Sequence, residues 1–188
     1  MTTHYIDLIV VPDPETNATQ LLGVLYGRLH LTLVQQRRDD IGVSFPRYSM
    51  TPRGIGSVLR LHGLAIALEN LMAADWMKGV RDHVRASGIQ SVPEGASHRN
   101  ISRKQFKTNV ERLRRRRMRR KGETEEQARS AIPIHVERNT GLPFVHLRSS
   151  STGQAFCLFV ALGAIRAEPV IGEFNSYGLS GRATVPWF

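Results

Sequence analysis

The chain has one cysteine, Cys157, in 188 residues. An internal disulfide framework is therefore excluded, and the usage fits a reducing cytoplasm. No run approaches the ~18–20 continuous apolar residues of a membrane span. The N-terminal stretch MTTHYIDLIVVPDPE has neither a basic leader nor a small-residue cleavage site, so no secretory signal is expected and a cytoplasmic location is. Seven histidines are scattered, without HExxH, CxxC or another metal-ligand spacing, so neither a metal nor a cofactor is expected. Internal repeats are also lacking. Acid is scarce beside base: 16 Asp and Glu face 26 Lys and Arg, for a net charge of +10.

That excess is local. Residues 109–121 read NVERLRRRRMRRK, seven arginines and a lysine against one glutamate. Residues 98–121 together carry +11, which leaves the other 164 residues at −1. A solvated surface helix or a disordered basic tail is the bland explanation for such a run. Here the run is internal, flanked by ordered-looking pattern, and arginine greatly outnumbers lysine. The planar guanidinium fork suits bidentate contact with phosphate and guanine. A nucleic acid is the expected partner.

The rest of the pattern predicts an α+β chain. Tyr5–Val11 reads as a strand ended by PDP, and Asn17 as the N-cap of a helix over Ala18–Arg38 with apolar residues at Leu22, Leu25, Leu29 and Leu33. Ile41–Phe45 is a short strand stopped by Pro46, and a polar loop runs to Gly56. Val58–His62 follows as a strand, Leu64–Ala74 as a helix, and the region Val80–Val92 as the source of a last strand. This β-α-β-β-α-β order is the ferredoxin-like plan, which many RNA-binding domains share. VPEG at 92–95 marks a boundary between a ferredoxin-like domain, 1–94, and a smaller α/β domain, 95–188. The second domain carries the arginine helix over about 108–121. On a helical wheel Arg112, Arg116, Arg119 and Arg120 share one face, with Val110 and Leu113 beside it but no broad apolar stripe. A capping box at Thr124–Gln127 starts another helix, broken or restarted at Pro133 and ended at Asn139-Thr140-Gly141. Phe144–Arg148 and Phe156–Val160 read as strands around the turn SSSTGQ, before a glycine-punctuated tail ending VPWF.

Taken together, GRLH (27–30), DDIGVSFP (39–46), ERLRRRRMRR (111–120), LPFVHLRSSSTGQAF (142–156), YGLS (177–180) and the terminal VPWF resemble the CRISPR repeat-processing endoribonucleases of subtype I-F. The likeness runs in order from the first strand to the last residue. It implies a metal-independent enzyme that binds the hairpin of each CRISPR repeat and cuts at the 3′ base of the stem. A 2′,3′-cyclic phosphate and a 5′-OH would result, and the enzyme would stay on the guide RNA with the backbone and other subunits of a surveillance complex. RNA can be cut without a metal because its own 2′-OH is a nucleophile that needs orientation and a proton relay.

The residues alone leave the relay open among seven histidines. His30 sits at the edge of its helix's apolar face, and His146 and His98 are the other candidates. The match of GRLH implies His30. The resemblance further implies that Ser149, first serine of the RSxST motif, holds the 2′-OH, and that Tyr177 orients the histidine. Ser151 and Thr152 would lie near the scissile phosphate or its neighbouring backbone. For binding it implies Arg103 and Gln105 as base readers near the stem foot, Arg116, Arg119 and Arg120 as phosphate grips, and Phe156 as a platform under the terminal base pair. Blandly read, Ser149 is a turn residue, Tyr177 a strand tyrosine, and Phe156 a core aromatic. Ala155 and Cys157 depart from the larger polar groups expected beside Phe156, and the 47–57 loop is assigned no role. Two other classes compete. One is a hairpin-holding subunit with little cleavage, which would not need His30, Ser149 and Tyr177 together. The other is a basic ribosome- or DNA-associated protein, which explains the charge but not RSSST or YGLS.

Overall fold

The structure is a computed structural model that describes residues 2–105, 110–132 and 141–188, with side chains from Leu113 onward in the helix that begins at Val110. Packing divides it into two units, Met1–Lys104 with Leu142–Phe188, and Gln105–Gly141.

In the first unit, β1 (His4–Val10) turns Ile6, Leu8 and Val10 into the core, as its alternation requires. The helix α1 (Ala18–Gln35) starts where expected, with the Asn17 side chain accepting the Gln20 N–H, and buries Leu21, Leu22, Leu25, Leu29 and Leu33. Next come β2 (Gly42–Ser44), the hairpin pair β3 (Ser49–Met50) and β4 (Arg53–Gly54), β5 (Val58–Gly63) and α2 (Ala65–Ala73). The hairpin lies in the stretch expected to be a loop. The expected last strand is two pieces, β6 (Val84–Ala86) and β7 (Gln90–Ser91), both paired antiparallel to β1. Leu8 pairs with Ala86 and Tyr5 with Gln90, so the second strand holds one residue more, a bulge at which Ser87 exchanges hydrogen bonds with the Asp7 backbone. The sheet order is β2-β5-β1-β6, antiparallel throughout.

One face of this sheet packs α1 and α2, and the C-terminal tail covers the other. Phe174 and Val185 lie over Gly42, where a Cβ would stand 2.8 and 2.5 Å from their side chains. Arg60 forks onto Asp7 at 2.6 and 2.9 Å, donates to the main-chain oxygen of Phe188 at 3.2 Å, and lies over the rings of Tyr5 and Phe188. Beside it, His62 is fully buried, its Nε2 2.8 Å from the Ser44 hydroxyl.

The remaining strands are β8 (Ser97–Arg99), β9 (Ile101–Lys104), β10 (Phe144–Arg148), β11 (Ala155–Leu162) and β12 (Val185–Trp187). They form a sheet of order β10-β11-β9 and a β12-β8 pair. β10 packs on α1 at very short range. A Cβ on Gly23 would stand 2.3 Å from the carbonyl oxygen of His146, so this helix position must be glycine for the strand to lie where it does. The two sheets and α1 share one core.

The second unit contains α3 (Val110–Lys121) and α4 (Glu125–Ala131). The capping box at Thr124 forms with both its hydrogen bonds. The helix then stops at Ala131, with Ile132 as its C-cap; the expected break at Pro133 and the end at Asn139-Thr140 lie outside the described residues. Ala128 is the buried contact of α4, while Leu113 and Met118 of α3 are only half-buried. The arginine helix therefore buries little, as its sequence predicts.

Candidate active site

A cleft of about 190 Å³ lies between the middle of α1 and the β10–β11 turn. His30, Ser149, Ser151, Phe156 and Tyr177 all line it, although up to 147 positions separate them in the sequence. Gly23 and Gly27 explain the meeting. They leave the β10-facing side of α1 without bulk, so β10 runs alongside the helix and its turn arrives one helical turn beyond Gly27, beside His30.

His30 is held twice. Its Nδ1 is 2.9 Å from the main-chain oxygen of Ser176. A carbonyl can only accept, so Nδ1 carries a proton, and in the neutral imidazole the lone pair lies on Nε2. Its ring lies flat on that of Tyr177, centroids 3.8 Å apart and planes 3° from parallel. Tyr177 is fixed in turn. Its carbonyl accepts from the hydroxyl of the fully buried Tyr26 at 2.8 Å, and its N–H donates to the Asn175 side chain at 2.8 Å. Burial, then the Tyr177 phenol, pushes the Tyr26 pKa well above its ordinary value, so this hydroxyl remains a neutral donor. Asn175 also accepts from Leu179 N–H, and Gly178 takes φ of +67° to close the turn. A Cβ on Gly178 would stand 2.4 Å from Val43, so the YGLS turn is glycine-dependent on both counts.

The serine turn is a tight hairpin end, with Gly153 at φ +67° and Ser149 and Gly153 joined through their backbones. The Ser149 hydroxyl accepts from Thr152 N–H at 3.3 Å and shares a hydrogen bond with the Ser151 hydroxyl at 3.2 Å. Ser150 lines the cleft too, whereas Thr152 is exposed at the turn and does not. Among the described residues no carboxylate or thiol lines it.

Arg103, on β9, lies with its guanidinium 5.6 Å from the Phe156 ring centre and 5.5 Å from that of Tyr177. It is thus brought to the edge of the cleft, while Gln105 follows β9 as an exposed residue. The other candidate histidines are elsewhere. His146 pairs across the sheet with Cys157, its Nδ1 3.6 Å from the thiol sulfur, and His98 bonds to the Ala167 carbonyl. Neither lines the cleft. Tyr26, Asn175, Ser176 and Gly23 also build the site, outside the residues to which the sequence motifs point. An Asx-turn signal in NSYG was available for Asn175; Tyr26 looks like any core aromatic until the fold places it.

On α3, Arg115, Arg116, Arg119 and Arg120 are exposed and form no ion pair among the described residues. Arg117 differs: it forks onto Glu123 at 2.5 and 3.1 Å and holds that carboxyl below its usual range. Arg114 donates to the Ile132 carbonyl. The side chain of Arg112 lies outside the described residues.

The family model described as CRISPR-associated protein (Cas_Csy4) matches residues 5–188. A protein of Pseudomonas aeruginosa (strain UCBPP-PA14) named CRISPR-associated endonuclease Cas6/Csy4 is 47% identical over 185 residues, covering 98% of this chain and 99% of its own. One of the same name from Escherichia coli (strain UTI89 / UPEC) is 44% identical over the same shares. With a cleft that joins GRLH, RSSST and YGLS, and likeness along nearly its whole length, the chain belongs to the Cas_Csy4 family of CRISPR-associated proteins.

Proposed function

We propose that this protein is an endoribonuclease that cuts CRISPR precursor RNA at the 3′ base of the repeat hairpin and stays on the guide RNA it makes. The observation that carries this reading is the fixed His30, whose Nε2 has no hydrogen-bond partner among the described residues and which shares its cleft with the Ser149 turn. In the proposed reaction Ser149 Oγ holds the substrate 2′-OH, and His30 Nε2 relays its proton. The 2′ oxygen bonds to the phosphorus, the bond to the 5′ oxygen breaks, and that oxygen takes up a proton. The products are a 2′,3′-cyclic phosphate and a 5′-OH. Tyr177 keeps the imidazole in plane, and Phe156 offers a face for the terminal base pair. Arg103 and Gln105 read bases at the stem foot. Arg112, Arg116, Arg119 and Arg120 grip the stem, with Ser151 and Thr152 near the cut.

The order β2-β5-β1-β6 supports reading residues 1–94 as the ferredoxin-like domain that supplies His30, with 95–188 as the RNA-hairpin-binding domain. No helix among the described residues is long and apolar enough to cross a membrane. We place the protein in the prokaryotic cytoplasm with the guide RNA and the subunits of a type I-F surveillance complex.

A donor set of imidazole and hydroxyls, without carboxylate or thiol, supports a metal-independent step. Cleavage of a cognate repeat RNA should therefore persist in excess EDTA. Cutting that stops on chelation and returns with a divalent ion would overturn this mechanism.

A further inference from the structure

At the other end of the α1–β10 seam is a second cleft, of about 560 Å³, between the first turn of α1, the β3–β4 hairpin and the start of β10. The cleavage reaction uses none of it. Among the described residues its ionisable lining is Arg47, Arg53 and His146, and the first turn of α1 contains no acidic residue. The half-buried ring of Phe144 also lines it, edge-on to His146 at 4.8 Å.

The site is built rather than incidental. Gly56 takes φ of +82°, and a Cβ there would stand 2.3 Å from the Cβ of Arg47, so only glycine lets the loop fold back onto that arginine. Arg47 donates to the Ser57 hydroxyl at 3.3 Å. The Tyr48 hydroxyl ties the same hairpin to the Val160 carbonyl of β11 at 3.2 Å. Arg47 is thereby held beside an aromatic ring, and Arg53 lines the same cleft. Guanidinium forks fit phosphodiester oxygens, and a ring face fits an unpaired base.

The cleft lies along the same α1–β10 seam as the proposed active site. Residues of α1 at 19–22 line one and at 27–30 the other, and β10 passes from the first to the second. Eight helical residues span about 12 Å, a distance that a few nucleotides of extended strand cover.

We propose that this cleft binds the single-stranded RNA that continues from the foot of the hairpin. The proposal rests on the reading of the chain as a hairpin-cutting enzyme. The 5′ and 3′ flanks share the same chemistry, and the test separates them. Three RNAs would be compared: the bare hairpin, and the hairpin with a 5′ or a 3′ extension, each with a 2′-deoxy nucleotide at the cut so that binding is read alone. One extension should tighten binding about tenfold and steepen the salt dependence by about 0.7 for each phosphate held. In the Arg47→Ala/Arg53→Ala protein the ratio of extended to bare affinity should fall toward one. It should return in Arg47→Lys/Arg53→Lys for the charge-dependent part. Phe144→Leu, which keeps apolar packing, should lose the part due to stacking. An extension that gives no gain, or a gain that survives the double alanine change, overturns the proposal. Cleavage of the all-ribose bare hairpin by the same samples tests the underlying reading separately: if it is cut normally while extensions give no gain, only this inference fails.

Discussion

His30 is held by a ring and a carbonyl, and each fixture makes a different prediction. In the proposed reaction, replacing His30 by Ala removes the relay. Cleavage should fall by about 10²–10⁴-fold, with hairpin affinity nearly intact, as measured by single-turnover rates and equilibrium binding. Ser149→Ala should behave similarly and Ser151→Ala less severely; the reverse order would assign the 2′-OH to the wrong serine. In the proposed reaction Tyr177 would act through its ring face, since its hydroxyl has no hydrogen bond among the described residues while its ring lies 3.8 Å from that of His30. Tyr177→Phe should therefore keep most of the rate, and Tyr177→Ala should lose about 3- to 10-fold, the equivalent of one ring contact. A Phe variant as slow as the Ala variant would show that the hydroxyl matters instead.

At the scale of elements, the α1–β10 seam brings histidine and serine together, and Gly23 is its tightest point. Alanine gains about 1 kcal/mol in helix propensity over glycine, but here it meets a main-chain oxygen at 2.3 Å, which only a strand shift can relieve. Overpacking costs about 1–3 kcal/mol, so the clash should win. Gly23→Ala should lower Tm by a few degrees and slow cleavage, as the serine turn leaves His30. An unchanged Tm would mean that β10 is free to move. The arginine helix divides similarly by element geometry. Arg116, Arg119 and Arg120 are exposed, whereas Arg117 is committed to Glu123. Alanine at any of the first three should flatten the log–log salt dependence of hairpin binding by about 0.7–0.9. Arg117→Ala should leave that slope nearly unchanged. Equal effects at Arg116 and Arg117 would mean that the helix meets RNA by another face.

Across the whole molecule, the tail that covers the first sheet seals a histidine in its core. Burial first, and the Arg60 cation second, push the His62 pKa down to about 3. In the unfolded chain its pKa is about 6.5. Between these values the unfolded state takes up a proton that the native state refuses, so stability is fully present above about pH 6.5 and is lost as pH falls toward 3. Thermal unfolding followed from pH 7 to pH 4 should show a steeper loss for the native protein than for His62→Gln. Parallel curves would exclude His62 as the group responsible.

Much of this molecule was legible locally. The Asn17 cap, the Thr124 capping box, the apolar spacing of α1 and the turns at SSSTGQ and NSYG are properties of short windows, where side chain and backbone meet within a few residues. The concentration of charge in residues 98–121 was likewise a matter of counting, and it pointed to a polyanion before any fold was known. What no window contains is long-range. The split of the last strand depends on Ser87 meeting Asp7, and the closed face of the first sheet depends on Phe174 and Val185 arriving over Gly42. The spacing left His30, His98 and His146 as equals, and only the family resemblance chose among them. The tertiary structure distinguishes them physically. Close approach of a glycine-bearing helix to a strand, and burial of Tyr26 beneath Tyr177, put one imidazole beside the serines and leave the other two elsewhere. Packing between segments more than a hundred residues apart decides that, and packing is a property of the folded whole.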